Sequence, residues 1–311
     1  KHRKEVLVHS GFGEDCSVID FGETVAVLST DPITGADKHS GHLAVFVSCN
    51  DIAACGAKPL GILITLLLPV GSDESTLKDV MKGVHTAANE IGIEVLGGHS
   101  EVTHAVTKPI VSATALGIAN KGEYITSSGA RPGHDVIVTK ALGLEGTAIL
   151  ASDFEKHLIN NISKSTIEKA QNFIQNISVI QDGLIAAKAG VSAMHDITEG
   201  GFLGAAYEVA KASGVGIEII EDQLPILPET FQICEFLEIN PLGLISSGSM
   251  LICAPDGKKV VQALKEKNIP ASIVGKVIPQ GKYLISSDKK IPIIPPERDE
   301  LISAIEKIKN A

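Results

Sequence analysis

The chain has 311 residues, 44% of them hydrophobic and 21% charged, the balance of a globular protein with a real core and not of a disordered chain. Its 27 Lys and Arg stand against 37 Asp and Glu, a formal charge of −10. That excludes the broad basic face of a nucleic-acid binder, but not a nucleotide, whose phosphates can be held by magnesium and backbone N–H groups. The longest apolar run, residues 60–70, is about half of the roughly 20 residues that span a bilayer, so it reads as a buried strand. No secretory pattern opens the sequence, and the five cysteines contain no C-x-x-C pair. The expectation is a cytoplasmic protein with no nucleic-acid or membrane partner.

Residues 25–29 form a β-branched apolar run that ends at Thr30 and Asp31, a strand delivering a carboxylate at its end. Residues 41–56 are small and apolar with Gly at both ends, which predicts a buried helix. A strand over 61–70 follows. Ser72 then caps a helix whose Leu77, Val80, Met81, Val84 and Ala88 recur at helical spacing, and Gly92 stops it. Strands at 93–96 and 109–119 complete the first half. Residues 120–134 are polar and rich in Gly and Ser, which predicts an interdomain connection and places two domains at 1–122 and 130–311.

In the second half the pattern predicts a strand at 135–139 and helices at 146–156, 163–176 and 179–189. A strand at 191–194, a helix at 201–213 and strands at 215–220 and 249–254 follow. A helix at 257–267, a strand at 272–278 and a helix at 297–309 close the chain. Strands and helices alternate in both halves, so the class is α/β or α+β.

No P-loop occurs, and Gly11-Phe12-Gly13 lacks the third glycine of a dinucleotide turn. Acidic residues at awkward places carry the signal instead. Gly13-Glu14-Asp15 puts two carboxylates before an apolar strand, where a plain turn is the alternative. Asp31 follows an apolar strand directly and doubles as a turn residue before Pro32. Asn50-Asp51 lies inside an apolar helix, where a charge is rarely buried without a partner, unless Asn50 caps a new turn. Carboxylates from separate segments suit magnesium, which completes its shell with water and phosphate oxygens.

Gly97-Gly98-His99-Ser100-Glu101 comes straight after a strand, and its paired glycines let backbone approach a phosphate closely. His195-Asp196-Ile197-Thr198-Glu199-Gly200-Gly201 repeats that design before a helix, whose N-terminus attracts anions, with Thr198 as an ordinary N-cap the alternative. Thr139 to Gly146 is a third, weaker strand-to-loop passage. The pairs His39 and His42, and His99 and His104, lack a zinc partner at the usual spacing and read as surface or core residues.

The order of these segments resembles the superfamily of aminoimidazole ribonucleotide synthetase, the hydrogenase maturation protein HypE, thiamine-monophosphate kinase and selenophosphate synthetase. Gly-Glu-Asp before a strand, Ser29-Thr30-Asp31, Asn50-Asp51 with Gly56-Ala57-Lys58-Pro59, Gly97-Gly98, Arg131-Pro132-Gly133 and His195-Asp196 with Gly200-Gly201 carry the match over nearly the whole chain. HypE and HypE-like AIR synthase-related proteins are nearest in character. The resemblance implies two α/β domains, with the N-terminal sheet closing a barrel against a second subunit. It implies ATP held through Mg²⁺ at Asp15, Asp31 and Asp51; because His99 stands where relatives carry an acid, either Glu101 serves as a further ligand or one metal position is altered. It assigns chemistry to Asp51, His195 and Asp196, and nucleotide contacts to Gly13, Asn50, Gly97, Gly98, Ser100, Thr198, Gly200 and Gly201.

The function it implies is ATP-dependent activation of an oxygen, amide or acid, on an unidentified small-molecule or protein acceptor, in hydrogenase maturation. The alternatives are a purine enzyme of the synthetase type and a silent nucleotide-binding maturation partner. HypE carries its carbamoyl group on a C-terminal cysteine, and this sequence ends at Ala311, so the expectation is a separate acceptor and no self-directed dehydration.

Overall fold

The computed structural model describes residues 3–34, 38–287 and 289–310. They form two compact units. One comprises Lys1–Ser10, Cys16–Ala53 and Ala57–Tyr124, the other Gly11–Asp15, Ala54–Gly56 and Ile125–Ala311.

The first unit is a six-stranded sheet, order β1-β2-β3-β6-β4-β5, of strands β1 (Val6–Val8), β2 (Ser17–Asp20), β3 (Thr24–Ile33), β4 (Lys58–Pro69), β5 (Glu94–Thr103) and β6 (Ile110–Asn120). All neighbours are antiparallel except β4 and β5, which the intervening helix α2 (Glu74–Ile91) makes parallel. Helix α1 (Ser40–Ala54) is apolar round its circumference and accordingly buried, with Leu43, Phe46 and Ile52 at 2% exposure or less. Helix α2 buries only the stripe Val80, Val84, Ala87 and Ala88. Its N-cap is Asp73, not Ser72. The Asp73 carboxylate accepts from Thr76 N at 2.9 Å, while the Ser72 hydroxyl donates to the Pro69 carbonyl. The left-handed Gly92, φ 68°, ends the helix as expected.

Two strands run longer than the apolar pattern suggests. β3 continues through Asp31, which pairs with Ala113, so this carboxylate lies within a strand and not at its end. β5 runs through Gly97 to Glu101, residues expected in a loop. Pairing with β4 satisfies the row of backbone groups that faces it, after a register shift that leaves Leu96 as an extra residue. Gly98 is required there: a Cβ on it would lie 1.8 Å from the Ile64 carbonyl oxygen.

The second unit holds a seven-stranded sheet, order β13-β12-β9-β11-β7-β10-β8. Its strands are β7 (Asp135–Thr139), β8 (Ala193–Asp196), β9 (Gly216–Ile220), β10 (Met250–Ala254), β11 (Ala271–Ile278), β12 (Lys282–Ser286) and β13 (Lys289–Pro292). Helices α3 (Leu144–Asp153), α4 (Glu155–Leu158), α5 (Lys164–Gln171), α6 (Ile180–Ala189), α7 (Gly201–Ala212), α8 (Pro228–Phe236), α9 (Gly257–Lys265) and α10 (Glu300–Asn310) surround it. Met194, Ile137 and Ile252 pack on one face with α6 and α9, and Ala193, Val138 and Leu251 on the other with Phe202 and Val209 of α7. β8 extends through His195 and Asp196, which the pattern placed after the strand. The short β1, the helix α8 and the lysine-bearing hairpin β12–β13 lack a clear apolar period and are additions of the structure. The helix expected over 163–176 gives way to a 3₁₀ turn at Asn172–Asn176.

Candidate functional site

In the first unit Ser29 and Asp31 alternate with Thr30 and so share one face of β3, the face covered by α1. The Ser29 hydroxyl lies 3.2 Å from Asp31 Oδ2 and makes a very short contact with Asp51 Oδ2, on α1. Asp51 is 8% exposed and the neighbouring Asn50 fully buried. One hydroxyl carries one proton, so it donates to one carboxylate at a time. An all-oxygen set of two carboxylates and a hydroxyl fits magnesium by its chemistry.

In the second unit the segment Gly11–Asp15 lies against α7. Lys211 Nζ stands 3.6 Å over the Phe12 ring, and a Cβ on Gly13, φ 73°, would touch Glu208 Cβ at 3.0 Å. The segment delivers Asp15 to His195, whose Nδ1 pairs with Asp15 and whose Nε2 lies 2.9 Å from Glu208 Oε2. Burial pulls the His195 pKa down, but Asp15 and Glu208, with Asp196 adding, outweigh it and hold the imidazole well above its ordinary value. Ligand atoms of Asp15, His195 and Asp196 lie within 4.8 Å of one another, a group with metal-binding composition. As an imidazolium His195 is not itself a ligand. It neutralises the carboxylates, and a cation would take its place only with loss of a proton.

Two family models cover these clusters: AIR synthase related protein, N-terminal domain, over residues 13–119, and AIR synthase related protein, C-terminal domain, over residues 131–286. The chain belongs to the AIR synthase related family. Among its relatives, a Methanocaldococcus jannaschii protein named for hydrogenase expression and formation is 29% identical over 302 residues, covering 92% of this chain and 87% of that one. Carbamoyl dehydratase HypE of Cupriavidus necator is 27% identical over 275 residues, covering 85% and 76%. In fold the chain is similar to E. coli HypE, TM-score 0.78 at 24% identity over 90% of this chain and 88% of that one. It is also similar to a hydrogenase maturation protein HypE solved in complex with ATP, TM-score 0.73 at 20% identity over 89% and 87%.

Within this AIR synthase related chain the remaining expected residues fall in different places. Gly97, His99 and Glu101 share the face of β5 that carries exposed Leu63 and Thr65 of β4, while Gly98 and Ser100 lie on the side of buried Ile64 and Leu66. His99 Nε2 is 3.9 Å from Glu101 Oε2 at the exposed edge. Asp31 lies on the opposite face and three strands away in the order β3-β6-β4-β5, so the structure does not bring Glu101 to Asp31 and Asp51. The start of α7 also differs from the expectation. Its N-cap is the left-handed Gly200, not Thr198, and the Gly200 N–H donates to Asp299 Oδ2 at 2.7 Å. Asp299 also accepts from Ile245 N and Leu301 N, so the protein's own carboxylate occupies this anion-attracting helix end. Gly201 follows at φ 59°, where a Cβ would meet the Leu242 and Leu244 carbonyl oxygens at 2.7 Å.

Ser29, Glu208 and Asp299 are site residues that pattern reading does not find. Ser29 carries a signal in hindsight, a hydroxyl two residues before a strand carboxylate and hence on its face. Glu208 and Asp299 carry none, because their partners are distant in sequence.

Proposed function

We propose that this member of the AIR synthase related family is an ATP- and Mg²⁺-dependent enzyme that activates an oxygen of an acceptor by phosphoryl transfer, serving hydrogenase maturation as its HypE relatives are named to do. The observation that carries the reading is the Asp31–Ser29–Asp51 arrangement: two carboxylates, from strand and helix, converging on one hydroxyl. Magnesium at such a set supplies charge neutralisation for the transferring phosphoryl group. Asp31 and Asp51 hold the ion, Ser29 orients their oxygens, and Asn50 stands beside them for a polar contact. In the second unit, His195 holds Asp15 and Glu208 in place, with Asp196 next to it, and fixes the glycine-bearing segment that ends at Asp15. Catalysis by positioning and electrostatics asks for such fixed groups and for no covalent intermediate. Gly13, Gly97, Gly98, Ser100 and Thr198 are assigned to nucleotide contact, whereas Asp299 takes the Gly200 N–H and Gly201 is packed against backbone carbonyls.

We place the domain limits at 1–122 and 130–311. We further infer a homodimer through the N-terminal sheet, an acceptor that is a small molecule or a partner protein, and a cytoplasmic setting. The five cysteines are buried and free, and among the described residues no helix is long and apolar enough to cross a membrane.

Calorimetric titration of the chain with ATP, with and without magnesium, tests the assignment. Asp31→Asn and Asp51→Asn are each expected to weaken magnesium-dependent ATP binding by about tenfold or more, since even groups outside the ligand shell are worth about that much to a metal site. Equal affinity in wild type and both variants, with folding intact, would refute it.

A further inference from the structure

The second unit contains a cavity of about 630 Å³ at the end of β7, walled by the segment leading into α6 and the loop before β11. That volume lies within the usual range of small-molecule sites. It lies on the α6 side of the sheet: Lys140, which follows β7, donates from Nζ to the Ser178 carbonyl at 2.7 Å and to Asp182 Oδ1 on α6 at 2.9 Å. The Asp15–His195–Glu208 cluster lies on the α7 side, so the cavity is no part of it.

We propose that this cavity binds a small neutral molecule with a planar amide-type edge, the chemistry shared by carboxamides and nucleobases. One wall is apolar, formed by Leu144, Leu227, Ile269 and Pro270. The lining also holds the buried ion pair Lys140–Asp182, whose side chains are 16% and 3% exposed, together with Gln175 and Gln181. An ammonium has three N–H donors, and two are taken by Ser178 and Asp182. The third donor and the carboxylate's further acceptor capacity make an adjacent donor and acceptor, the complement of an amide edge. Net charge selects against ions. An anion would meet Asp182 and a cation Lys140, each in a partly enclosed site with no second countercharge among the lining residues.

Backbone conformation supports a site that is held and not incidental. Lys140 has φ 53°, in the left-handed region that side chains other than Gly rarely adopt. The Lys140 N–H donates to the Pro270 carbonyl at 2.8 Å, tying the strand end to the facing loop. Such strain persists where the surroundings fix it, and it concentrates at ligand sites. The proposal does not depend on the ATP reading above.

Benzamide, benzoate and benzamidine have one shape and three charges, and the full chain with labelled Leu and Ile methyls reports where each binds. Benzamide is expected to bind saturably and shift the methyls of Leu144, Leu227 and Ile269, with benzoate and benzamidine weaker by about tenfold, the equivalent of one unpaired charged contact. Lys140→Met removes the third donor and is expected to abolish the shifts. Because it leaves Asp182 buried alone, Gln181→Trp serves beside it: this exposed helix position lines the cavity, and an indole there obstructs the cavity while leaving the ion pair intact. No saturable shift at those methyls, equal affinity for the three probes, or unchanged benzamide binding by Gln181→Trp would overturn the proposal.

Discussion

Glu145 shows how a single buried group sets pH behaviour. It lies in the first turn of α3, 3% exposed. Burial pushes its carboxyl up to about 7, with the charge of Asp299 adding and Ser247 opposing. The folded pKa exceeds the ordinary value of 4.5, so the protein binds this proton more tightly when folded. The associated stability is fully present below about pH 4.5 and is lost as pH rises through about 7. Glu145→Gln keeps the shape and removes the titration. It is expected to unfold at the same urea concentration as wild type near pH 4 and to be more stable at pH 8, by up to about 3 kcal/mol. A gap that does not change between those pH values would count against this account. At this scale the sequence shows which acids stand in apolar runs and not what accompanies them. Asp31 and Asp51 are conspicuous as charges in apolar runs, yet Ser29 joins them only once β3 meets α1. Asp299 reaches Gly200 from 99 residues away, a pairing that no local pattern encodes.

At the scale of elements the same contrast has a different cause. Helices α1 and α2 were legible because one is apolar all round and the other has a regular stripe. β5 was legible only in its first residues, because glycine lowers strand propensity and paired glycines read as a loop. Here the strand is imposed by its partner: Gly98 sits opposite Ile64 so closely that a side chain has no room, at φ 149°. Gly97, at φ 148°, has only Leu63 Cδ2 near, at 3.7 Å. The two glycines are therefore expected to behave differently. Gly98→Ala must push β4 and β5 apart, at a cost of roughly 3 kcal/mol or more, comparable with severe core substitutions. Gly97→Ala meets backbone strain alone, on the order of 1–2 kcal/mol, which Gly98→Ala incurs as well. Denaturant unfolding gives both values, and hydrogen exchange at β5 amides shows whether the loss is local. Equal costs would mean that the close approach to Ile64 is not what holds glycine at 98.

At the scale of the whole molecule, the face of the N-terminal sheet turned away from its helices is the one the proposed dimer would use. Leu63 of β4, Leu96 of β5 and Ile118 of β6 are 37–51% exposed on that face, while the alternate residues of β4 are buried on the other. β5 is also the terminal strand, so one row of its backbone groups has no neighbour in the sheet. An apolar face beside an open strand edge invites pairing, and closure against a second copy is the solution that avoids open-ended association. The proposed dimer therefore uses β4 and β5. Leu63 lies within the patch, and Leu63→Lys places a charge where the partner sheet would bury it, while Ile294→Lys changes an equally apolar, 71% exposed residue of the other unit. Sedimentation equilibrium is expected to show a dimer for wild type and for Ile294→Lys. For Leu63→Lys the dissociation constant should rise by at least about tenfold, since a buried unpaired charge costs well over 1.4 kcal/mol. A monomeric wild type at tens of micromolar, or a Leu63→Lys variant that dimerises as tightly as wild type, would show that this face serves another purpose.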